Sequence, residues 1–285
     1  MLVSSLGLFK KAKKDSYAVG AFNTSNLEIT KAIIEAAEEL KSPVIIETSE
    51  GEMAALTPEV AAAEVRALAE KSSIPIVLHL DHGKSFEAAK SAMNAGYTSV
   101  HLDGSSLHFE DNVQLTKKVA ELAHEKKISV EGEIGHVAGT SESHAKEIKI
   151  SIDTLTDPDE AARFVSETGI DVLAVAIGNI HGIYKNLPAL DFGRLAEIVE
   201  KVNCYFSLHG GSGIPKNQIK KAISLGIVKI NVNTELRLAF KEGILHEFEE
   251  NPDEVVPYKY FPAGRAAVKK VVEQKIKLFG SAGKA

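Results

Sequence analysis

Eight apolar, β-branched runs alternate with helix-period segments along these 285 residues, and that alternation constrains the fold more than any other feature. The runs are Tyr17–Phe22, Pro43–Thr48, Ile76–Asp81, Ser99–Asp103, Ile128–Glu133, Val172–Ile177, Cys204–His209 and Ile227–Val232. Near-continuous apolar strands indicate a sheet buried on both faces, as parallel sheets are. The intervening segments, such as Leu27–Leu40 and Glu110–Glu125, are amphipathic at the helical period. Thr57-Pro58, Asp157-Pro158 and Ile214-Pro215 read as helix starts. The expected fold is α/β: a (β/α)8 TIM barrel filling residues 1–285 as one domain, with an additional C-terminal helix at Pro262–Leu278. A doubly wound open sheet is the alternative. The polar, glycine-containing stretch Gly135–Ile148 reads as a long mobile loop on the catalytic rim, placed to act as a lid.

Charge and cysteine content narrow the function. A net charge of −6 with no long basic run argues against nucleic acid as a partner. One cysteine, Cys204, allows no internal disulfide and suits a reducing cytoplasm. The opening MLVSSLGLFKKAKK has too short an apolar core for a signal peptide, and its lysines follow that core. No stretch is long and apolar enough to span a bilayer, so no membrane role is expected.

Active sites of such barrels lie at the carboxyl ends of the strands, and the polar residues collect there. The strand ends carry Asn23, then Ser49, Asp81-His82, Asp103, Glu131-Gly132-Glu133, His181-Gly182, His209 to Gly213, and Asn231 to Thr234. His82, His181 and His209 fall beside three different strands, and three nitrogen ligands with one open position suit a catalytic zinc. Taken singly, each reads more readily as a hydrogen-bonded structural histidine than as a ligand. The other seven are background; His101, two residues before Asp103, could neighbour the site. Asp81 could act as general acid/base or orient a ligand histidine. Asp103 and Glu133 could hold a second or alternative divalent cation, or simply hydrogen-bond at the barrel mouth. The turn HGGSGIP ahead of a helix, with Asn231–Thr234 opening the next, would cradle a phosphate.

From YAVGAFN through PVIIETSEG, HLDHG, AGYTSVHLDGS, GNIHGIYK and LHGGSGIP to KINVNTE and FGSAGKA, the chain closely resembles the class II, metal-dependent fructose-bisphosphate aldolases and their tagatose-bisphosphate relatives. The resemblance implies a lyase that reversibly cleaves a ketose 1,6-bisphosphate, fructose before tagatose, to dihydroxyacetone phosphate and glyceraldehyde 3-phosphate. It implies zinc on His82, His181 and His209, stabilising an enediolate, and an alternative metal position at Asp103 and Glu133. Asp81 would move the C4 hydroxyl proton. Gly182, Lys185, Gly210, Gly211, Ser212, Asn231, Asn233 and Thr234 would hold the triose phosphate, and Asn23 and Ser49 would line the pocket. A homodimer or homotetramer is the family habit. Whether a monovalent cation assists stays open.

Two departures matter. Where the family has a second acid in the loop after strand five, this chain reads Thr140-Ser141, with Glu142 one residue late. Where relatives carry a C-terminal Asp-Pro-Arg for the distal phosphate, it reads Val256-Pro257-Tyr258-Lys259, leaving Lys259 or Arg265 as substitutes. The second departure gives weight to an aldolase of another phosphorylated sugar or keto acid. Rival readings are a Schiff-base aldolase using Lys229 and a silent sugar-phosphate binder.

Overall fold

The structure is a computed structural model, and it describes residues 1–144, 151–184, 187 and 189–285, without the side chains of 141–144. In chain order the elements are α1 (Ser5–Asp15), β1 (Val19–Asn23), α2 (Leu27–Glu39), β2 (Val44–Ser49), α3 (Glu50–Leu56), α4 (Pro58–Ala69), β3 (Ile76–Gly83), α5 (Phe86–Ala95), β4 (Ser99–Leu102), α6 (Phe109–Glu125) and β5 (Ser129–Ile134). There follow β6 (Ala138–His144), α7 (Pro158–Thr168), β7 (Val172–Val175), β8 (Ile180–Ile183), α8 (Phe192–Lys201), β9 (Tyr205–Leu208), α9 (Lys216–Ser224), β10 (Ile227–Val232), α10 (Thr234–Glu250) and α11 (Pro257–Phe279). Strands β1, β2, β3, β4, β5, β7, β9 and β10 close into a parallel barrel, in that order. These are the eight runs of the sequence, with ends moved by a residue or two.

Local chemistry sets the helix starts. Asn26 accepts the Ile29 amide, and Asp157 accepts those of Asp159 and Glu160. Pro58 and Pro158 occupy the first helical turn, where a missing N–H costs nothing.

Inward-facing residues recur every second position, and they stack in layers. At the amino-terminal floor, Val19, Ala21, Ile45, Val77, Val172 and Val228 pack against Leu8, Phe9 and Ala12 of α1. That N-terminal helix, unmarked in the sequence reading, plugs the barrel. Above the floor lies a charged layer: Glu47, His79, Glu131, Ser207 and Lys229, all buried. Lys229 Nζ is 2.9 Å from Glu131 and 3.7 Å from Glu47. At the carboxyl rim come Asn23, Asp81, Glu133, His209 and Asn231. The outer apolar faces of the strands meet the helices in the main core.

Two expectations need correction. The Gly135–Ile148 segment is not a plain loop: β6 pairs in parallel with β8 as a small second sheet. Residues 145–148 lie outside the described part. Second, the C-terminal helix starts at Pro257, five residues before the expected Pro262, which sits inside it. Among the described residues no helix is long and apolar enough to cross a membrane.

Candidate active site

A cavity of about 260 Å³ opens at the carboxyl rim, lined by Asp81, His82, Asp103, Glu133 and His181 among others. A kink in β3 builds much of it. Leu80 pairs with Val100 and Gly83 with Leu102, so β3 carries one residue more than β4 over this span. Such a bulge bends the strand and re-aims side chains. Regular pleating would turn Asp81 and His82 to opposite faces; here both line the cavity. The bulge puts His82 in the left-handed region at φ 50°, a strain of about 1–3 kcal/mol for a non-glycine residue.

The three histidines meet. Ring centroids lie 4.6 Å apart for His82–His209, 4.8 Å for His82–His181 and 6.0 Å for His181–His209. They do not all close barrel strands, as the sequence reading had it. His82 is inside β3, His209 follows β9, and His181 sits in the short strand β8, after barrel strand β7.

Hydrogen bonds assign the imidazole protons. His82 Nδ1 donates to Asp103 Oδ2 at 2.9 Å, and His209 Nε2 donates to Glu131 Oε1 at 2.7 Å. The remaining nitrogens, His82 Nε2 and His209 Nδ1, stand 2.9 Å apart. Two ring nitrogens at that separation need a cation between them, either a proton on His82 Nε2 or a metal in its place. The surrounding charge demands one too. Burial opposes charge on His82, yet Asp81, Asp103 and Glu133 push its pKa up to about 10. Burial and Asp103 push Glu133 up to about 8, and Glu133 Oε2 is a buried oxygen without a hydrogen-bond partner. Asp81, His82, His101 and His209 offer one converging set of metal-ligand atoms; His82, Asp103 and Glu133 offer another. The residues present fit a divalent metal.

Asp81 is held by two amides. Asn23 Nδ2 donates to Oδ2 at 3.0 Å and Asn231 Nδ2 to Oδ1 at 3.0 Å. Burial works against its charge, but His82, His209, Lys229 and the Asn23 bond together hold its carboxyl well below the usual carboxylate range. Lys229 stays an ammonium: burial lowers it, while Glu131, Glu47 and Asp81 raise it further. A Schiff-base lysine needs a neutral, accessible amine; Lys229 is buried and paired below the cavity.

The phosphate side is mixed. Asn23, Ser49, Gly182, Gly210, Ser212, Asn231, Asn233 and Thr234 line the cavity. Gly210 takes φ 64°, and a Cβ there would fall 2.1 Å from the Ile180 carbonyl, so the loop approaches β8 only as glycine. Gly211 does not line the cavity, and its amide donates to the Asn231 carbonyl at 2.8 Å. Arg265 is also elsewhere: it pairs with Glu28 at 3.3 Å and Glu35 at 3.8 Å on α2. Lys259 pairs with Glu254 at 3.1 Å. Lys185 and the Glu142 side chain lie outside the described residues.

The sequence reading missed Glu52. Its carboxylate accepts from Asn23 Nδ2, from Ser49 N and Oγ, and from Arg237 Nη2. The Ser49-x-x-Glu52 capping box, visible as a motif, was the available signal. His136, Val137, Gly139 and Thr140 also line the cavity.

Similarity to known proteins agrees with this geometry. The family model described as "Fructose-bisphosphate aldolase class-II" matches residues 3–284. The fructose-bisphosphate aldolase of Thermus caldophilus is 45% identical, over 100% of both chains. The 6-phospho-5-dehydro-2-deoxy-D-gluconate aldolase of Bacillus licheniformis is 43% identical, over 99% of this chain and 96% of that one. The crystal structure of the YdjI aldolase from Escherichia coli K12 superposes with a TM-score of 0.85 at 38% identity, over 100% of both chains. A parallel eight-stranded barrel with this metal-fitting rim, matched end to end by that family, makes the chain a member of the metal-dependent class-II fructose-bisphosphate aldolases, which are lyases.

Proposed function

We propose that the protein is a zinc aldolase that reversibly cleaves a ketose 1,6-bisphosphate, fructose 1,6-bisphosphate first, to dihydroxyacetone phosphate and glyceraldehyde 3-phosphate. The observation that carries this reading is the convergence of His82, His209 and the ionised Asp81, with His82 Nε2 and His209 Nδ1 2.9 Å apart. His82, His181 and His209 would hold the zinc, with Asp103 and Glu133 as an alternative divalent position. Bound there, zinc supplies a positive charge that polarises the substrate carbonyl. Asp81 takes the C4 hydroxyl proton in cleavage and returns it in condensation; it stands ionised, the state that can accept a proton. Asn23 and Asn231 fix its plane. Gly182, Gly210, Ser212, Asn233, Thr234 and Lys185 receive the triose phosphate, at the start of α10, where the helix dipole favours an anion. Glu142 is the proposed second proton carrier, on the β6 segment beside the cavity.

Substrate identity turns on the distal end. Arg265 and Lys259 are engaged in ion pairs away from the cavity, and a relative of 43% identity is named for a phosphorylated keto acid. These two observations support a second reading, an aldolase releasing dihydroxyacetone phosphate from another phosphorylated sugar or keto acid, tagatose 1,6-bisphosphate included. Cytoplasmic work in sugar-phosphate metabolism, as a homodimer or homotetramer, completes the proposal.

The test is the cleavage rate of fructose 1,6-bisphosphate before EDTA, after it and after zinc is restored, with tagatose 1,6-bisphosphate in parallel. The expected result is activity lost to EDTA and regained with zinc. In Asp81→Asn, kcat should drop by about 10²–10⁴-fold with zinc still bound. EDTA-indifferent turnover would sink the metal reading, and triose-phosphate binding without turnover would leave a silent binder.

A further inference from the structure

His101 is a fully buried imidazole in the middle of β4. Across the β3 bulge it alone faces two residues, Asp81 and His82. An extra residue in a strand leaves a backbone group outside the ladder. Here that group is the amide of His82, whose backbone is also left-handed at φ 50°. The His82 N–H donates to His101 Nδ1 at 3.2 Å.

A ring nitrogen that accepts an N–H carries a lone pair, so the ring proton of His101 sits on Nε2. Nε2–H points toward Glu133 Oε2, 3.6 Å away. Both atoms are buried without a hydrogen-bond partner. The ring packs against His82 and His209 at centroid distances of 4.9 and 5.0 Å. His101 therefore stands among the metal-binding groups with its inward nitrogen protonated, which makes it a support for ligands and not a ligand.

We propose that His101 is a positioning residue of the metal centre: its Nδ1 captures the amide released by the bulge and so holds the left-handed turn that aims the His82 imidazole. This rests on the reading of His82 as a metal ligand. A ligand whose backbone is free to relax spends part of its binding on being ordered. Groups that orient metal ligands typically matter by ten- to a hundredfold in affinity.

The experiment measures zinc affinity of the full-length, metal-stripped protein against a chromophoric chelator. Three variants are compared with the parent. His101→Asn keeps an acceptor oxygen where Nδ1 stands, His101→Gln moves the amide one bond too far, and His101→Leu removes both polar atoms. His101→Leu should weaken zinc by about ten- to a hundredfold, with His101→Asn restoring most of it and His101→Gln falling between. In the cobalt-substituted protein, the visible absorption of His101→Asn should keep the parent's band positions, because the ligands are unchanged. The proposal is overturned if His101→Leu binds zinc like the parent, if Asn and Gln variants bind equally, or if the cobalt bands shift. The Asn–Gln comparison stands even where His101→Leu fails to fold. A parent protein that binds no zinc would overturn the metal reading itself, and the positioning role with it.

Discussion

Glu133 shows how far environment can move one residue. Its carboxyl, pushed up to about 8 by burial and by Asp103, is protonated at neutral pH in the metal-stripped fold and ionised in the unfolded chain. The folded state thus binds the extra proton between the ordinary carboxylate range and about pH 8. Stability from that proton is fully present below the unfolded value and is lost as pH rises through the folded one. His82, raised to about 10, acts in the same direction over a higher window. We expect the Tm of EDTA-treated protein to fall more, or rise less, from pH 5 to pH 8 than that of Glu133→Gln, against the opposite pull of the buried His79, His101, His181 and His209, whose pKa values are lowered. Equal slopes in the two proteins would mean that Glu133 is ionised in the stripped fold. Of the candidate site residues, Asp81, His82 and His209 stand out in the sequence as polar groups at the ends of apolar runs, whereas His181 lies beyond its run, on β8. His101 and Glu131 are named in the sequence reading without a role, since a buried polar residue within a strand looks the same whether it supports a site or fills a core.

Among the elements, the β6–β8 pair has the least warning in the sequence. Its strands are short, and β6 reads Ala-Gly-Thr-Ser-Glu-Ser-His, with little β-branched or apolar character. Pairing, not propensity, makes it a strand. Gly139 is the point of closest approach: it takes φ 89°, and a Cβ there would lie 2.3 Å from the carbonyl of His181. Gly139→Ala should therefore displace β8 and with it His181. The expected cost is about 1–3 kcal/mol locally, read as weaker zinc binding with little change in the far-UV spectrum. Unchanged zinc affinity would show that His181 is placed without β6. Helix α1 escaped the sequence reading for a related reason. Its apolar positions, Leu8, Phe9 and Ala12, are few, and they gain their meaning only from the barrel floor they cover.

At the scale of the whole molecule, α10 and α11 pack together and leave Leu245, Phe248, Val255, Tyr258 and Phe261 exposed. Apolar clusters of this kind on a helical hairpin mark contact surfaces. If the protein assembles as proposed, Leu245→Asp with Phe248→Asp should lower the mass measured by light scattering toward that of one chain. An unchanged multimer would place the contact on another face. The same hairpin holds Tyr258 and Arg265, so the altered distal-phosphate motif lies on the outer surface of the chain and not in its own cavity.

The order of strands and helices was decided by the sequence alone, because burial on both faces of a parallel sheet writes itself as eight apolar runs at the spacing of βα units. So was the gathering of polar chemistry at one rim, since chain direction puts every carboxyl strand end on the same side. Tertiary structure alone decided the β3 bulge, the second sheet that carries His181, the occupied amide of Gly211 and the outward placing of Arg265. Each depends on which partner a backbone or side-chain group finds across the barrel, and such pairings are set between distant segments, where local pattern carries no signal.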